Sequence, residues 1–526
     1  MIDKVLIVVP PLVNSEGKKD SSHHRPDFES YRLVSPIEPT LVASDLREKG
    51  FEVRIVDLGV YTNDRFDHLA TIIENFKPDA AVVIQSILTF ATAQDWDAKR
   101  VFDIAKEQMP DIVTILTGGH ASNYPGQAVK EGICQYSIKG EVDFAVSQLL
   151  LAINNGSNLS SVAGLSFQYE SKVRVSHEYP LVDVSELPLP AYDLLDGDHK
   201  LGYSSVLEFG KIRFPERSNQ YRDIMTSRSC RLRCSFCSVA HLRGEKQRYR
   251  RKPVEKVIHE IEVALEEGIK EIHFFDDLFA ETETQILELT NEIMKRNLKF
   301  PWFVAQGMPL WPLTHHVLSA MKEAGMYRLI CPLESGNDRV LKKVIGKSFS
   351  TVQHHHNVIM WAHDLGLEVI GMFVIGMPGE TREEILDTLT FAEGHPEIDY
   401  SVFSIATPMM GTRLMKAVRK SGQLEDSGKI NRIIKRTVAL YSTEAFSEYE
   451  LGVIRAFDWD RINFSSESRR VKYAAMVGVS LQQLEELRTH AKDTFFHFFP
   501  NYDGPWSFRE LYYQPDLYRS IAPKIA

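Results

Sequence analysis

Short apolar, β-branched runs alternate with longer mixed stretches along this chain, and the rhythm changes three times. Within residues 1–150 the runs are Val5–Val9, Glu52–Asp57, Ala80–Ser86, Ile112–Thr117 and Gln135–Ile138. The intervals are mostly long enough for a helix. Pro39–Gly50 reads as one, ending in Lys49-Gly50, a basic last turn followed by a C-terminal glycine. Such alternation predicts a parallel, doubly wound α/β sheet that binds ligands beyond the carboxyl ends of its strands. Those ends read Pro10-Pro11, Asp57-Leu58-Gly59, Gln85-Ser86, Gly118-Gly119-His120 and Gly140-Glu141.

Residues 151–221 alternate less clearly and read as a linker region. Asn154–Ser157 is a turn signal, and Gly164–Tyr169 with Val173–His177 predicts a hairpin. The two prolines of Leu187–Asp193 disfavour helix and central strand, so this stretch is expected to run extended between its neighbours. Alternation resumes in residues 222–415, with strands expected at Ile224–Thr226, Glu271–Phe275, Trp302–Ala305, Arg328–Leu333, Val369–Ile375 and Ser401–Ile405. Helices such as Val254–Glu267 and Glu283–Lys295 intervene. Six such units suit a partial (β/α) barrel, open on one side, with its site at the carboxyl ends of the strands. Residues 416–526 combine polar helical stretches such as Leu481–His490 with an aromatic tail. That tail holds Phe495, Phe496, Phe498, Phe499, Tyr502, Trp506, Phe508, Tyr512, Tyr513 and Tyr518. These rings would either cap the barrel or line a substrate pocket.

A length of 526 residues suits two or three domains, and 44% apolar with 25% charged residues is ordinary for a soluble globular protein. The net charge of −10 argues against a general nucleic-acid binder. With no long apolar run and no signal-peptide pattern, a cytoplasmic protein without a transmembrane segment is expected. Five cysteines exclude a disulfide scaffold, and Cys134 and Cys331 sit in apolar runs as core thiols.

The other three cysteines, Cys230, Cys234 and Cys237, are spaced C-x-x-x-C-x-x-C directly after the first barrel strand. Three thiolates on one short loop can hold three corners of a [4Fe–4S] cluster and leave its fourth iron free to chelate a small molecule. Zinc is the rival, but it usually takes four ligands in paired clusters, and no second C-x-x-C is present.

This spacing resembles the signature of the radical S-adenosylmethionine (SAM) superfamily, and later strand ends carry further matches. Phe236 matches the aromatic that packs beside adenine. Asp276, next to Asp277, stands where relatives contact the methionyl amine, although Phe274-Phe-Asp-Asp departs from the common G-G-E. Glu334-Ser335-Gly336 resembles a ribose or amino-acid contact. Gly371 to Glu380 resembles a G-x-I-x-G-x-x-E strip, in which Gly371 and Gly376 would let the backbone lie against adenine. Pro408–Thr412 resembles a P-x-x-G-T turn. Each has a plainer reading: Glu380 as a helix-start residue, Glu334 as an interstrand partner.

The first domain resembles the cobalamin-binding domain found ahead of many radical SAM barrels. That resemblance assigns Asp57, Gln85, Ser86, Gly118, Gly119, His120, Gly140 and Glu141 to the loops around the corrin and its nucleotide tail. The D-x-H-x-x-G motif is missing, so no histidine from that motif ligates cobalt, and His120 is expected near the tail. No G-x-G-x-x-G follows the first strand, which weakens a dinucleotide reading.

The resemblance implies an enzyme with three cofactors: a [4Fe–4S] cluster, SAM and cobalamin. In that family the reduced cluster cleaves SAM to a 5′-deoxyadenosyl radical, which takes hydrogen from an unactivated carbon, and methylcobalamin methylates that carbon. Cyclisation or rearrangement without methyl transfer is an alternative, and a non-catalytic cobalamin or iron–sulfur sensor another. The implied partners are a small-molecule, lipid or peptide substrate and an external electron donor such as flavodoxin or ferredoxin. Two further motifs read as surface. Consecutive residues on a helix diverge by about 100°, so His354, His355 and His356 cannot share one ion and are expected on a solvated face. Arg248–Lys252 is expected in a solvated loop.

Overall fold

The computed structural model describes residues 1–10, 35–61, 65–85, 96–196, 216–218, 220–244, 248–422 and 439–513. Strands β1 (Lys4–Val9), β2 (Glu52–Asp57), β3 (Ala80–Ile84), β4 (Val113–Thr117) and β5 (Tyr136–Ile138) run parallel in the order β2-β1-β3-β4-β5. The strands are apolar on both faces because helices cover both. Val5 and Ile7 meet Val42, Leu46, Val146 and Leu149 of the helices Ile37–Glu48 and Ala145–Asn154. Leu6 and Val8 meet Phe66, Leu69, Ile73 and Phe102 of the helices Arg65–Phe76 and Trp96–Gln108. The expected hairpin forms as β6 (Leu165–Tyr169) and β7 (Lys172–Val175), and it pairs antiparallel with β5. The first sheet therefore has seven strands and reaches into the stretch read as a linker.

The second sheet is wholly parallel, in the order β15-β14-β13-β12-β11-β8. Its strands are β8 (Tyr221–Ile224), β11 (Glu271–Phe274), β12 (Trp302–Val304), β13 (Met326–Glu334), β14 (Glu368–Ile375) and β15 (Tyr400–Ile405). A short ribbon, β9 (Ser227–Arg228) with β10 (Arg250–Arg251), lies just beyond β8. The predicted first strand, Ile224–Thr226, is displaced by about one turn of pleat. Arg222 and Asp223 look like breaks in an apolar run, yet both are buried with partners outside the strand: Arg222 pairs with Glu267 at 2.6 Å, and Asp223 accepts from Ser35 N at 2.8 Å.

An open barrel has two exposed strand edges, and this chain covers both with side chains. At the β8 edge, Ser35 Oγ accepts from the Asp223 amide at 3.0 Å, and Tyr192 of the proline-rich stretch donates to the Asp223 carbonyl at 3.3 Å. The same stretch bonds the first domain, through Ala191 N to Thr40 O and Asp196 N to Ile55 O, so it joins the two domains edge to edge. At the β15 edge, Asn463 imitates a strand: its Oδ1 accepts from Ser401 N at 2.7 Å and its Nδ2 donates to Ser401 O at 2.9 Å. The C-terminal helices build on that contact. Phe457, Phe495, Phe496, Tyr502 and Trp506 pack ring against ring beside it, with Tyr449 and Phe499 at the same cluster. Tyr518 lies outside the described residues.

Of the three histidines only His356 is exposed, so they do not form a solvated face together. They diverge around the helix Val352–Asp364, but His354 meets the Leu310 carbonyl at 2.8 Å and His356 meets His395 at 2.9 Å. His355 is buried, and burial pushes its imidazole down to about 3. Packing against the barrel turned the apolar side of this helix, His355 included, inward. Among the described residues, no helix is long and apolar enough to cross a membrane.

Candidate active site

The carboxyl ends of the two sheets face each other, and the cysteine loop lies between them. Its entry is fixed by β11. Both oxygens of Asp276 accept hydrogen bonds, from the amides of Thr226 (2.8 Å) and Ser227 (2.6 Å) and from their hydroxyls (3.1 and 3.0 Å). Asp276 thus shapes the loop instead of presenting a free carboxylate to a ligand's amine, which corrects its expected role. Its neighbour Asp277 is the one left with an unpartnered oxygen. Asp277 Oδ2 accepts from Ser229 N at 2.7 Å and Arg243 Nε at 3.0 Å, while buried Oδ1 has no partner among the described residues. Ser229, held there at φ 64°, turns the chain into Cys230.

The loop's middle is stitched down by its neighbours. Ser235 N and Oγ donate to the carbonyls of Ile345 and Val344, both at 2.8 Å, and Leu414 N donates to Ser235 O at 2.9 Å. Cys237 N closes the turn on Cys234 O at 3.1 Å. Phe236 packs against the barrel core. None of the three thiols is in a disulfide. Burial pushes Cys230 and Cys237 up to about 12, with the neighbouring cysteines adding to the rise. Among the described residues, no three His, Cys, Asp or Glu side chains converge on a single ion. A cubane does not ask for that: each thiolate meets its own corner iron. Three soft donors on one tied-down loop fit such a cluster.

A cation lies under the cysteines. Lys347 Nζ donates to Glu334 Oε1 at 2.6 Å and to the Pro332 carbonyl at 3.1 Å. Burial works against its charge, but Glu334 and then Cys234 outweigh it and raise the ammonium above its usual range. Glu334 ends β13 at φ 62°, buried and paired to this lysine. Ser335 turns away, bonding Thr388 at 3.0 Å. Gly371 is not a clearing for a ligand. A Cβ there would meet Leu333, Phe373 and Ile398, residues of the barrel core, so its missing side chain makes room for core packing. Gly376, at φ +82°, abuts Leu451 of the C-terminal region, and its carbonyl accepts from Tyr441. The turn 408–412 lies against the loop, because a Cβ on Gly411 would strike the His241 ring.

Glu380 Oε2 accepts from the amides of Gly376 (2.8 Å) and Met377 (3.0 Å), holding the turn after β14. Burial pushes this carboxyl from 4.5 up to about 8. The folded state therefore keeps a proton that the unfolded chain releases, and stability should fall as pH rises from about 4.5 to about 8. Glu380→Gln keeps the acceptor but cannot ionise, so it should flatten that decline, by an amount on the order of a few kcal/mol at pH 8.5. Urea unfolding across pH measures it; an unchanged slope would exclude Glu380 as the source.

In the first domain the strand ends are interlocked. Asp57 Oδ1 accepts from Gly59 N at 2.8 Å, and Gln85 Oε1 accepts from His120 N at 3.1 Å. Buried His120 sits on the helix Gly119–Asn123, which packs on the helix Val239–Arg243 just after Cys237. Ser122 Oγ accepts from Gly140 N. Ser86 lies outside the described residues. Gly118, at φ +91°, carries the closest approach, since a Cβ there would stand 1.7 Å from the Gln85 carbonyl. Gly118→Ala should cost about 1–3 kcal/mol for the backbone conformation alone and spread the ends of β3 and β4. Denaturant unfolding and cobalt retained after gel filtration would measure both effects. A Cβ on Gly140 would likewise meet Tyr179 and Pro180, so these glycines let the strand-end loops pack on their neighbours.

Glu141 requires a correction. Its carboxylate receives both terminal nitrogens of Arg250, at 2.8 and 2.7 Å, and is buried. Two residues on, Asp143 receives Arg228 at 2.5 and 2.6 Å. Arg243, beside Glu141 and Glu38 at 3.8 and 3.9 Å, completes a buried charge cluster that ties the first domain to both ends of the cysteine loop. The basic run 248–252 is accordingly no solvated loop: Arg250 sits in this cluster and Lys252 bonds buried Glu260 at 2.6 Å. Sequence reading missed Arg228, Arg243, Asp143 and Lys347. The arginines flanking the cysteines were the visible signal, but nothing local named their partners.

Comparison with known proteins agrees with this division. The model of the radical SAM superfamily matches residues 224–392, and that of the B12 binding domain matches residues 29–150. An uncharacterized methyltransferase of Pyrococcus horikoshii is 32% identical over 418 residues, 78% of this chain and 82% of the relative. The cytidylyl-2-hydroxyethylphosphonate methyltransferase of Streptomyces wedmorensis is 26% identical over 448 residues, 76% of this chain and 81% of the relative. The fold matches the structure of TsrM, a radical S-adenosylmethionine methyltransferase from Kitasatospora setae with cobalamin and a [4Fe–4S] cluster bound. The TM-score is 0.65 at 16% identity, covering 94% of this chain and 100% of that one. Both modules, in this order and with a relative matched along most of the chain, make this protein a cobalamin-dependent member of the radical SAM superfamily.

Proposed function

We propose that this protein is a C-methyltransferase acting on an unactivated carbon. The observation that carries the reading is the buried charge cluster, in which Arg228–Asp143 and Arg250–Glu141 lock the strand ends of the first domain over the cysteine loop. Two cofactor sites held that rigidly can share one substrate between them. In this reading Cys230, Cys234 and Cys237 hold the [4Fe–4S] cluster, and Phe236, Glu334 and Asp277 line the SAM site. The ends of β3, β4 and β5, with Gln85, Gly118, Gly119, His120 and Gly140, receive cobalamin. Residues 1–150 act as the cobalamin domain and 222–415 as the catalytic barrel, with 151–221 joining them and 416–526 closing the β15 edge.

When bound, these cofactors supply a hydrogen-abstracting radical and a transferable methyl group. The chain's own work is placement. Asp276 and Asp277 hold the cysteine loop in shape, Lys347 sets positive charge beneath the thiolates, and the charge cluster excludes water between the domains. An external one-electron donor, a substrate of small-molecule, lipid or peptide type, and a reducing cytoplasmic setting complete the proposal.

The test is incubation of anaerobically reconstituted protein with methyl-labelled SAM and candidate substrates. Label in the product supports methyl transfer. Production of 5′-deoxyadenosine with no label in the product supports cyclisation or rearrangement, and no reductant-dependent SAM cleavage at all points to a sensor.

A further inference from the structure

Three segments wall the cysteine loop: the loop and its helix, 228–243; the segment 339–350; and the segment 409–422. None contains an acidic residue, in a chain whose net charge is −10. All three are joined at one place. Ile345 and Val344 accept from Ser235, Leu414 donates to it, and Arg413 Nη2 donates to the Arg233 carbonyl at 2.8 Å. The helix Arg413–Lys420 buries Leu414, Met415 and Val418, and every charged residue on its outer face is basic: Arg413, Lys416, Arg419 and Lys420 are exposed, with Ala417 between them. Lys343 is exposed on the neighbouring π-helix Val340–Ile345. Among the described residues Lys343, Lys416 and Lys420 have no carboxylate partner; the surface ion pairs of these segments are Arg231 with Glu281, Arg339 with Glu384 and Lys342 with Asp338.

The face also has an apolar centre. Phe349 is 54% exposed, lies 5.0 Å under the Arg231 guanidinium and stands 6.2 Å from the Trp311 ring. An exposed aromatic on the same face as exposed, carboxylate-free lysines is the composition of a transient protein interface: charge steers the encounter and the ring anchors it. Arg413 bonds the carbonyl of Arg233, the residue before Cys234, so the patch adjoins the cysteine loop.

Resting on the catalytic reading above, we propose that this basic face is the docking site of an acidic one-electron carrier protein. One electron passes from the reduced carrier to the oxidised cluster, and no proton or group moves with it.

The experiment is anaerobic stopped-flow absorbance of the reconstituted wild type and a Lys343→Glu/Lys416→Glu variant, each reduced by flavodoxin hydroquinone or by dithionite. Flavodoxin-driven reduction should slow at least about tenfold in the variant at low ionic strength, and the wild-type rate alone should fall steeply with salt. Dithionite reduction should be the same in both. Equal flavodoxin-driven rates overturn the docking site. So does a mixed-sequence RNA that binds wild type and not the variant while those rates stay equal, since that result reassigns the face. Failure of dithionite-reduced wild type to cleave SAM would instead overturn the catalytic reading, leaving the docking rates to be judged separately.

Discussion

Replacing Arg228 by methionine should destabilise the fold by about 3–5 kcal/mol, because it strands a buried carboxylate without its cation. Arg228 and Asp143 are each 1% exposed at the side chain and share two hydrogen bonds. Burial alone would raise the Asp143 carboxyl, but the Arg228 charge and its hydrogen bonds outweigh that and hold it below the usual range. In the wild type the pair therefore stabilises above the carboxylate's ordinary value of 3.8, and that contribution is lost as pH falls below it. In the variant the sign reverses. Asp143 becomes a desolvated acid that binds its proton more tightly folded than unfolded, so the deficit should be largest at neutral pH and shrink on acidification. The double variant Arg228→Met/Asp143→Leu should recover most of the stability, since no charge is left unpaired. Urea unfolding from pH 4 to pH 8 reads all three proteins. A cost below about 1 kcal/mol for the single variant would mean that water reaches the pair. The double variant also separates stability from placement: if the clamp positions the domains, it should fold well yet transfer methyl poorly while still cleaving SAM.

Cys234→Ala should leave a folded protein that neither holds a full cluster nor cleaves SAM. Removing one of three thiolates leaves two corners of a cubane ligated. The loop itself should persist, because its fastenings run through the Ser235 backbone and hydroxyl and the Cys234 carbonyl, none of which needs the thiol. Iron and sulfide content should fall, reductant-dependent 5′-deoxyadenosine should vanish, and cobalt content should stay near that of the wild type. Cys331→Ala is the control. That thiol is wholly buried in the barrel core, so its loss should lower stability modestly and leave the iron content alone. SAM cleavage by Cys234→Ala at a rate near wild type would remove these cysteines from the chemistry.

The architecture was readable because it is written in local periodicity. Twelve of the thirteen expected strands, the hairpin's two included, lie within two residues of their observed bounds, as at Glu52–Asp57 and Ala80–Ile84, since a buried parallel strand must be apolar on both faces. The reading slipped at β8, where Arg222 and Asp223 occupy strand positions that alternation reserves for apolar residues. It slipped again at His355, because one strand or helix position looks polar until its neighbours are known. Glu141 was assigned to a ligand for the same reason: at a strand end, an acid facing solvent, a cofactor or an arginine reads alike.

By itself the sequence determined the two α/β modules, their order and the three-cysteine loop after the first barrel strand, because periodicity and spacing are properties of adjacent residues. Only the tertiary structure decided what the charged groups at that junction do. Arg228 and Asp143 are 85 residues apart, and Asp276 lies 50 from the Thr226 that it holds. Whether a buried carboxylate binds a ligand, shapes a loop or clamps two domains depends on which donor reaches it first, and that is set by packing.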